Sequence, residues 1–577
     1  MKQQENRYQQ IAPALFLADD AVNMQAQRLM GRQSAGNGFL RAMVNAYLDQ
    51  PMQALKILSP SANDTQSVGM HLKSMGWHHP SVTYPANQPA AWQDLEVLYY
   101  PAPLSNTLAW QRSRKSITEF ALCGVTHTIS SDNVMKQLAA YVSGPFSACD
   151  ALVCTSQSVL TAVESIWEAE LDYLHWRLKA DLQPELPMTP IIPLGIHAKD
   201  FQVDGLERSI GRAQWGFEPD DMVILFVGRL SLHAKANPIA MYLAAARAMA
   251  QSGKTIKILE CGWFANDAVR ASFDEVARAA GISVIRIDGR QAGVTQRAYA
   301  VADIFVSLSD NIQETFGLTP LEAMAAGLPV VVSDWDGYRE TVRDGVEGFL
   351  IKTHFPQDPV CAQDVIHGYE DERINYDLYI AYTHMLVSVD IEQCTKVLVQ
   401  LVDDPDLRQR MGQKGRERVE TVYDWSIVIK QYQALWSLQA DKLADYRNQS
   451  AETVSGLNHI SSLTNPGMPN PIDMFQHYPS DVIHADTLLW RDNHQAQSSQ
   501  GYLAPALARQ LGMWHFSANW LPGTEVVEKA WQILPSASDS GMTIAQWGLS
   551  LQLPLPRAVR LAVWMHKVGL IKTNQSI

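Results

Sequence analysis

Short apolar runs alternate with helical patterns along most of the chain. Six runs form a first series: ALFLAD, ALKILS, EVLYY, ALCGVTHT, ALVCTS and MTPIIPLGI, at residues 14–19, 54–59, 96–100, 121–128, 151–156 and 188–196. Runs of this length, bounded by turn residues and separated by helical segments, predict βα units on a parallel sheet. The first half of the chain is therefore predicted to be a Rossmann-like domain.

A second series of apolar runs follows the first. Its members are MVILFVGRL, TIKILECG, SVIRIDG, ADIFVSLS, GLPVVVSD and GFLI, at residues 222–230, 255–262, 283–289, 302–309, 327–334 and 348–351. Two such series in succession predict an α/β chain of two Rossmann-like domains that face a cleft. The predicted domains cover residues 1–196 and 197–445.

The end of the chain differs in pattern. A segment rich in Pro, Ser and Asn, SSLTNPGMPNP, predicts a linker over residues 446–470. Trp-rich helical patterns without strand alternation then predict a mainly helical module over residues 471–577. Its helix, LPLP turn, helix and terminal VGLI resemble the core of a winged helix, with Trp547 and Trp564 inside.

Charge bears on what this module binds. Residues 541–577 contain no acidic residue. Their basic residues include Arg557, Arg560, Lys567 and Lys572. Such modules bind DNA or dock proteins, and the buried tryptophans favour a protein partner or a homo-oligomer over nucleic acid.

Composition narrows the class of protein. The chain has 577 residues, of which 47% are hydrophobic and 18% charged, as is usual for globular domains. A net charge of −14 disfavours binding of nucleic acid or an anionic membrane by the whole surface. The polar start and the lack of a long apolar run predict a cytoplasmic protein without a membrane span. The six cysteines show no CxxC pair, which predicts reduced thiols.

The candidate chemistry is concentrated in ETFGLTPLEAMAAG, which follows the predicted strand ADIFVSLS. Its loop lies at the carboxyl end of a parallel sheet, where open α/β proteins bind ligands. A helix beginning near Pro320 would direct free N–H groups at an anion such as a diphosphate. Those N–H groups belong to Phe316, Gly317, Leu318 and Thr319. Glu322 is placed to accept hydrogen bonds from a ribose, and Glu314 from a hexose.

The spacing Glu-x7-Glu within FGLTPLEAMAAGLPVV resembles the retaining GT-B glycosyltransferases of family four, over about residues 10–440. The resemblance implies that Glu314 contacts the hydroxyls of the donor sugar and that Glu322 binds the nucleotide ribose. It also implies a GT-B fold, with residues 1–196 on the acceptor side and 197–445 on the donor side. The implied activity is transfer of a hexose from a nucleotide sugar, with retention, to a glycan, a lipid-linked sugar or a small molecule.

A second motif, FVGRLSLHAKANP at residues 226–238, is similar to the Gly-Arg-Leu loop of the same family. The resemblance implies that Arg229 and Lys235 clamp the donor diphosphate and assist its departure without a metal or other cofactor. Lys235 follows Arg229 by six positions, one more than in the common form of the motif. The alternative interpretation is that both are solvated loop charges.

Two first-domain features complete the candidate site. In GRQSAGNGFLRAMVNAYL, Gly36 and Gly38 are predicted to lie just ahead of an amphipathic helix, and the segment resembles the family loop that packs against the donor phosphate. The alternative is an ordinary loop and helix start. His127 ends a predicted strand, where the family often has a histidine facing the donor sugar. A purely structural hydrogen-bonding role is its alternative.

Other functions remain open at this stage. SDWDG at residues 333–337 contains an Asp-x-Asp pattern that suggests a metal elsewhere, although the resemblance implies a similar loop without metal chemistry. A sugar epimerase would use a nucleotide sugar without an acceptor, and a phosphorylase would need a pyridoxal phosphate lysine. A regulatory protein could sense a nucleotide sugar and use its tail to bind DNA or a partner. The presence of both motif glutamates argues against such a sensor.

Overall fold

The computed structural model describes residues 12–18, 31–48, 54–202, 205–453, 465–492, 503–517 and 519–574. The chain separates into two compact units, residues 1–465 and 466–577, and each is described by itself.

The first half of unit one is built on a six-stranded parallel sheet with the order β3-β2-β1-β4-β5-β6. Alternate strand residues face two apolar layers, as in a sheet covered by helices on both sides. The strands are β1 (Ala14–Phe16), β2 (Leu55–Ser59), β3 (Ser81–Pro85), β4 (Val97–Tyr100), β5 (Ala121–Val125) and β6 (Ala151–Val153). The helices are α1 (Gly31–Tyr47), α2 (Ala62–Ser74), α3 (Asn106–Ser113), α4 (Asp132–Ala139) and α5 (Gln157–Leu178).

One predicted strand of this sheet is wrong and another was missed. Residues 188–196 make only isolated bridges, two of them beside β6 and one from Ile196 to Asp424, since Pro190 and Pro193 carry no N–H to donate to a ladder. The strand that completes the six-stranded sheet is instead β3, which lies at the sheet edge and was not predicted. Its residues are mostly exposed, so it lacks the apolar pattern of a buried strand.

The predicted position of Gly36 and Gly38 is also wrong. Both lie inside α1 rather than in a loop ahead of it. A β-carbon on Gly38 would come within 2.8 Å of the Trp425 indole nitrogen, and the Gly38 carbonyl oxygen lies 3.1 Å from His197 Nε2. Gly38 therefore permits close packing of a helix.

The second half of unit one repeats the topology of the first. Its parallel sheet has the order β12-β11-β10-β7-β8-β9, which is the same Rossmann order read from the other edge. The strands are β7 (Met222–Val227), β8 (Ile256–Gly262), β9 (Ser283–Asp288), β10 (Ile304–Ser307), β11 (Val330–Ser333) and β12 (Gly348–Ile351). The helices are α6 (Gly205–Gln214), α7 (Pro238–Ser252), α8 (Asp267–Ala280), α9 (Val294–Val301), α10 (Leu318–Ala325) and α11 (Tyr338–Thr341). Two Rossmann-like domains in succession confirm the predicted fold class.

A helical segment leaves the second domain after β12. We call residues 353–390 the cleft segment, because it contacts loops of both domains. It contains β13 (Thr353–His354), α12 (Gln363–Glu370), α13 (Tyr376–His384) and β14 (Ser388–Val389). β13 and β14 pair antiparallel, so the segment returns to the place where it left. Helices α14 (Ile391–Asp403) and α15 (Pro405–Arg418) then pack on the second domain.

The chain returns to the first domain through helix α16 (Trp425–Thr453). Apolar residues of α16, from Trp425 to Leu443, join the core beside β1, β4 and β5. The two crossings between domains lie side by side. Ile196 N donates to the Tyr423 carbonyl at 2.9 Å, and Trp425 N donates to the Ile196 carbonyl at 2.9 Å. Helix α16 continues to Thr453, into the segment predicted as a linker, of which residues 454–464 lie outside those described.

Unit two combines a three-stranded antiparallel sheet with short helices. The elements are α17 (Pro471–Phe475), β15 (Leu488–Arg491), α18 (Pro505–Gln510), α19 (Thr524–Gln532), β16 (Met542–Thr543), α20 (Ile544–Ser550), α21 (Leu555–Lys567) and β17 (Ile571–Thr573). The sheet order is β16-β15-β17. Trp547 and Trp564 lie in its core at 0% and 5% exposure, as predicted. Across the described residues, no helix combines the length and apolarity needed to cross a membrane.

Candidate functional site

The start of α10 forms the centre of the candidate site. Gly317 caps this helix with φ of +79°, and a β-carbon there would collide with the Tyr338 ring, so only glycine fits. The first-turn N–H groups of α10 have no acceptor within the helix. The loop before the helix contacts the first domain, since the Thr315 hydroxyl donates to the carbonyl of His127 and the Ser156 hydroxyl donates to the Thr315 carbonyl. The helix therefore begins where the domains meet.

Lys235 and Glu314 form an ion pair in front of this helix. Lys235 Nζ lies 2.9 Å from Glu314 Oε2, with side-chain exposures of 39% and 11%. The backbone of Lys235 is fixed as well, because its carbonyl accepts hydrogen bonds from Ser309 Oγ and Asn311 Nδ2. The pair joins a side chain from the loop after β7 to one from the loop after β10, at the carboxyl edge of the sheet.

Glu322 lies one turn into α10, and Tyr299 of α9 holds its carboxylate. The Tyr299 hydroxyl donates to Glu322 Oε2 at 2.7 Å. Burial raises the pKa of Glu322 above its ordinary value, whereas Tyr299 and Lys235 lower it. Glu322 is of intermediate exposure as a residue and Tyr299 fixes the orientation of its carboxylate, which suits a group that accepts hydrogen bonds from a ligand.

Arg229 follows β7 and points toward the loop after β10. Its Nη2 donates to Gln313 Oε1 at 3.2 Å and to the Ala234 carbonyl at 3.4 Å. Burial lowers the pKa of Arg229, while Asp377 and Tyr376 of the cleft segment oppose that shift. A guanidinium stays charged under such a shift, so the site contains a half-buried permanent cation.

Two predicted first-domain residues, Gly36 and His127, line one apolar pocket with Phe39, Tyr99 and Trp425. The ring of His127 makes a structural contact, because its Nε2 lies 3.1 Å from the carbonyl oxygen of Pro101. The backbone carbonyl of His127 accepts the hydrogen bond from the Thr315 hydroxyl described above. Gly38, by contrast, packs on Trp425 within α1 and does not line this pocket.

Asp336, from the SDWDG segment, lies beneath the same loops. Its backbone has φ of +45°, and its Oδ1 accepts from the Ser156 hydroxyl at 3.3 Å. Its Oδ2 is buried without a hydrogen-bond partner among the described residues. Burial, reinforced by the charges of Glu314 and Glu340, raises the pKa of Asp336 to about 8. The side chain is therefore mostly protonated at neutral pH.

The sequence predicted the charged residues that the structure brings together, but not the groups that orient them. Tyr299, Gln313 and Tyr376 belong to this missed set. The sequence around Tyr299 and Gln313 contains no motif that would single out either residue.

Part of the chain is similar to known glycosyltransferases. Residues 207–376 match the family model described as glycosyl transferases group 1. The chain is 29% identical to a D-inositol 3-phosphate glycosyltransferase of Nocardia farcinica over 169 residues, which is 29% of this chain and 37% of the relative. It is 26% identical to an alpha-maltose-1-phosphate synthase of Mycobacterium tuberculosis over 262 residues, which is 44% of this chain and 57% of the relative.

The matched region thus covers only part of each curated relative, about two fifths of the Nocardia enzyme. Among solved structures, Anabaena HepE in complex with UDP and glucose aligns with a TM-score of 0.48 and 16% identity. The alignment covers 75% of this chain and 100% of HepE.

Proposed function

We propose that this chain, whose residues 207–376 match the family model of the group 1 glycosyltransferases, moves a hexosyl group from a nucleotide sugar to an acceptor hydroxyl. The transfer retains the anomeric configuration. The acceptor class is a glycan, a lipid-linked sugar or a small molecule.

The observation that carries this proposal is the meeting of Lys235, Glu314 and Arg229 around the start of α10. A nucleoside diphosphate needs donors for its phosphates, and the α10 amides with the two cations supply them. A hexose needs an acceptor for its hydroxyls next to the diphosphate, and Glu314 lies 2.9 Å from the Lys235 ammonium. A ribose needs a second, fixed carboxylate, and Tyr299 orients Glu322 for that role.

In the proposed reaction, the bond between the anomeric carbon and the diphosphate oxygen breaks and its electron pair passes to the diphosphate. Arg229, Lys235 and the amides of Phe316, Gly317, Leu318 and Thr319 stabilise the charge that develops there. The acceptor hydroxyl attacks the same face of the sugar, and its proton passes to an oxygen of the leaving phosphate. We propose no covalent nucleophile and no metal, because the two cations supply the charge on which the leaving group depends.

The direct test is a thermal-unfolding screen of the purified chain against UDP, GDP, ADP and dTDP sugars. A ligand at 100 times its dissociation constant adds about 2.7 kcal/mol to the free energy of unfolding. One sugar series should raise Tm in the wild type and raise it much less in Glu322→Ala. NMR of the product formed with that donor should show the anomeric configuration of the donor. An inverted product, or stabilisation by no nucleotide sugar, would contradict the proposal.

A further inference from the structure

A chain of hydrogen bonds runs from the Arg229 guanidinium to the first domain through the cleft segment. Arg229 Nη2 lies 3.2 Å from Gln313 Oε1, and Gln313 Nε2 lies 3.1 Å from the Tyr376 hydroxyl. The Tyr376 hydroxyl lies 2.9 Å from Ser130 Oγ. Ser130 is buried and belongs to the loop after β5, so the chain connects the loop after β7 with the opposite domain.

The chemistry of the groups fixes the direction of the first two bonds of this chain. An arginine only donates, so the Gln313 carbonyl oxygen must face Arg229 and its amide nitrogen must face Tyr376. The Tyr376 oxygen then accepts from Gln313, while either hydroxyl can donate in the contact between Tyr376 and Ser130. The orientation of the Gln313 amide is therefore fixed by its two partners, Arg229 and Tyr376.

We propose that Tyr376 is a positioning residue that makes the orientation of Arg229 depend on contact between the two Rossmann-like domains. The role of Arg229 at the donor diphosphate rests on the proposed function. The coupling between Tyr376 and the orientation of Arg229 rests on the geometry alone. With Ser130 in reach, Tyr376 and Gln313 hold the guanidinium toward the start of α10. Without that contact, Gln313 can rotate and the guanidinium loses one of its two acceptors.

Neighbouring contacts hold the cleft segment in place without repeating this connection. Tyr369 stacks on Tyr379 with ring centroids 4.4 Å apart, and the Tyr369 hydroxyl donates to Asp132 Oδ1 at 3.3 Å. On the other side, Asp377 Oδ1 lies 3.1 Å from His233 Nε2. These contacts anchor the cleft segment to both domains, but within the described residues only the Tyr376 hydroxyl bonds both Ser130 and Gln313.

The first test uses the full chain and single-atom variants. Tyr376→Phe removes only the hydroxyl, and Tyr382→Phe is the matched control because Tyr382 lies on the same helix with 46% exposure. Amide hydrogen exchange without ligand should speed up in peptides covering residues 228–236 for Tyr376→Phe and stay unchanged for the control. Faster exchange confined to residues 369–384 would overturn the proposal. This arm needs no donor, so its outcome is independent of the proposed function.

The second test uses turnover of the donor identified by the unfolding screen. Tyr376→Phe should lower kcat by about three- to tenfold, the range for one net hydrogen bond, with a smaller change in the donor KM. In an Arg229→Ala background the same substitution should lower kcat no further, because it acts through Arg229. An equal loss in both backgrounds would identify a merely structural role and sink the inference. A failure of the wild type to use any nucleotide sugar would refute the proposed function instead, and hydrogen exchange would still decide the coupling.

Discussion

Lys235 Nζ donates to Glu314 Oε2 across 2.9 Å, so the cation assigned to the donor diphosphate and the carboxylate assigned to the donor sugar neutralise each other in the free protein. A bound donor would satisfy both groups separately: the phosphate takes the ammonium and the sugar hydroxyls take the carboxylate. The pair keeps either charge from being left alone in a half-buried site.

We expect Glu314→Gln to separate binding of the leaving group from turnover. Loss of the carboxylate frees Lys235, so a nucleoside diphosphate without a sugar should bind at least as tightly as in the wild type, by calorimetry. Turnover should fall by about tenfold or more, because a charge-assisted hydrogen bond to the sugar is lost. Glu372→Gln, at an exposed residue of the cleft segment, is the control. Weaker binding of the nucleoside diphosphate would contradict the assignment.

Glu322→Ala should mainly weaken nucleotide binding. Charge-assisted bonds to a ribose are worth roughly 1.5 to 3 kcal/mol, which corresponds to a loss of affinity of about tenfold to a hundredfold. Tyr299→Phe keeps the Glu322 carboxylate but removes the hydroxyl that orients it. This variant should lose less nucleotide affinity than Glu322→Ala. Calorimetry with one nucleotide measures both variants, and unchanged affinity in Glu322→Ala would remove the residue from the ribose role.

Arg229→Ala should lower turnover much more than donor affinity, since the diphosphate gains charge as it leaves. Arg229→Lys should recover only part of the loss, because an ammonium cannot reproduce the planar contact with Gln313. Steady-state kinetics give kcat and KM for the three proteins. Equal kcat and KM in the wild type and the alanine variant would rule out the role of Arg229 at the donor diphosphate.

Asp336 should make the protein less stable as pH rises. Its pKa in the folded state is about 8, well above the ordinary value near 3.8, so between these values the folded state binds more protons than the unfolded state. The free energy of unfolding must therefore fall as pH increases from about 4 to 8. Asp336→Asn tolerates the same backbone conformation and should reduce this fall. Urea unfolding at pH 5 and 8 measures the difference, and equal pH dependence in both proteins would contradict it.

A chain that ends at Asn465 should keep its nucleotide affinity. The candidate donor residues lie in unit one, and unit two has a core of its own around Trp547. The deletion should instead change the oligomeric state or the protein partners, which light scattering and pull-down would detect. Loss of nucleotide binding with unchanged mass and partners would place unit two in the catalytic body.

The charged members of the site could be predicted because their motifs are local in sequence. Glu314 and Glu322 flank one helix start, and Arg229 follows one strand. The orienting groups could not be predicted, since their partners come from distant parts of the chain. Gln313 is 84 positions from Arg229, and Tyr376 is 246 positions from Ser130.

The fold shows the same division between local and nonlocal information. Buried central strands carry continuous apolar runs and could be predicted to within about three residues at each end, as for β7 and β10. The edge strand β3 has no such run because most of its side chains meet solvent. Residues 188–196 have the apolar run, but two prolines remove the donors that a strand needs.

The two crossings between the Rossmann-like domains are hydrogen-bonded to each other at Ile196, so the domains share one pivot instead of two independent tethers. The bonds of Thr315 with His127, Ser156 with Asp336, and Tyr376 with Ser130 all cross the cleft away from that pivot. A rotation that opens the cleft at the pivot would lengthen all three bonds, so the loss of each bond is a local sign of that opening.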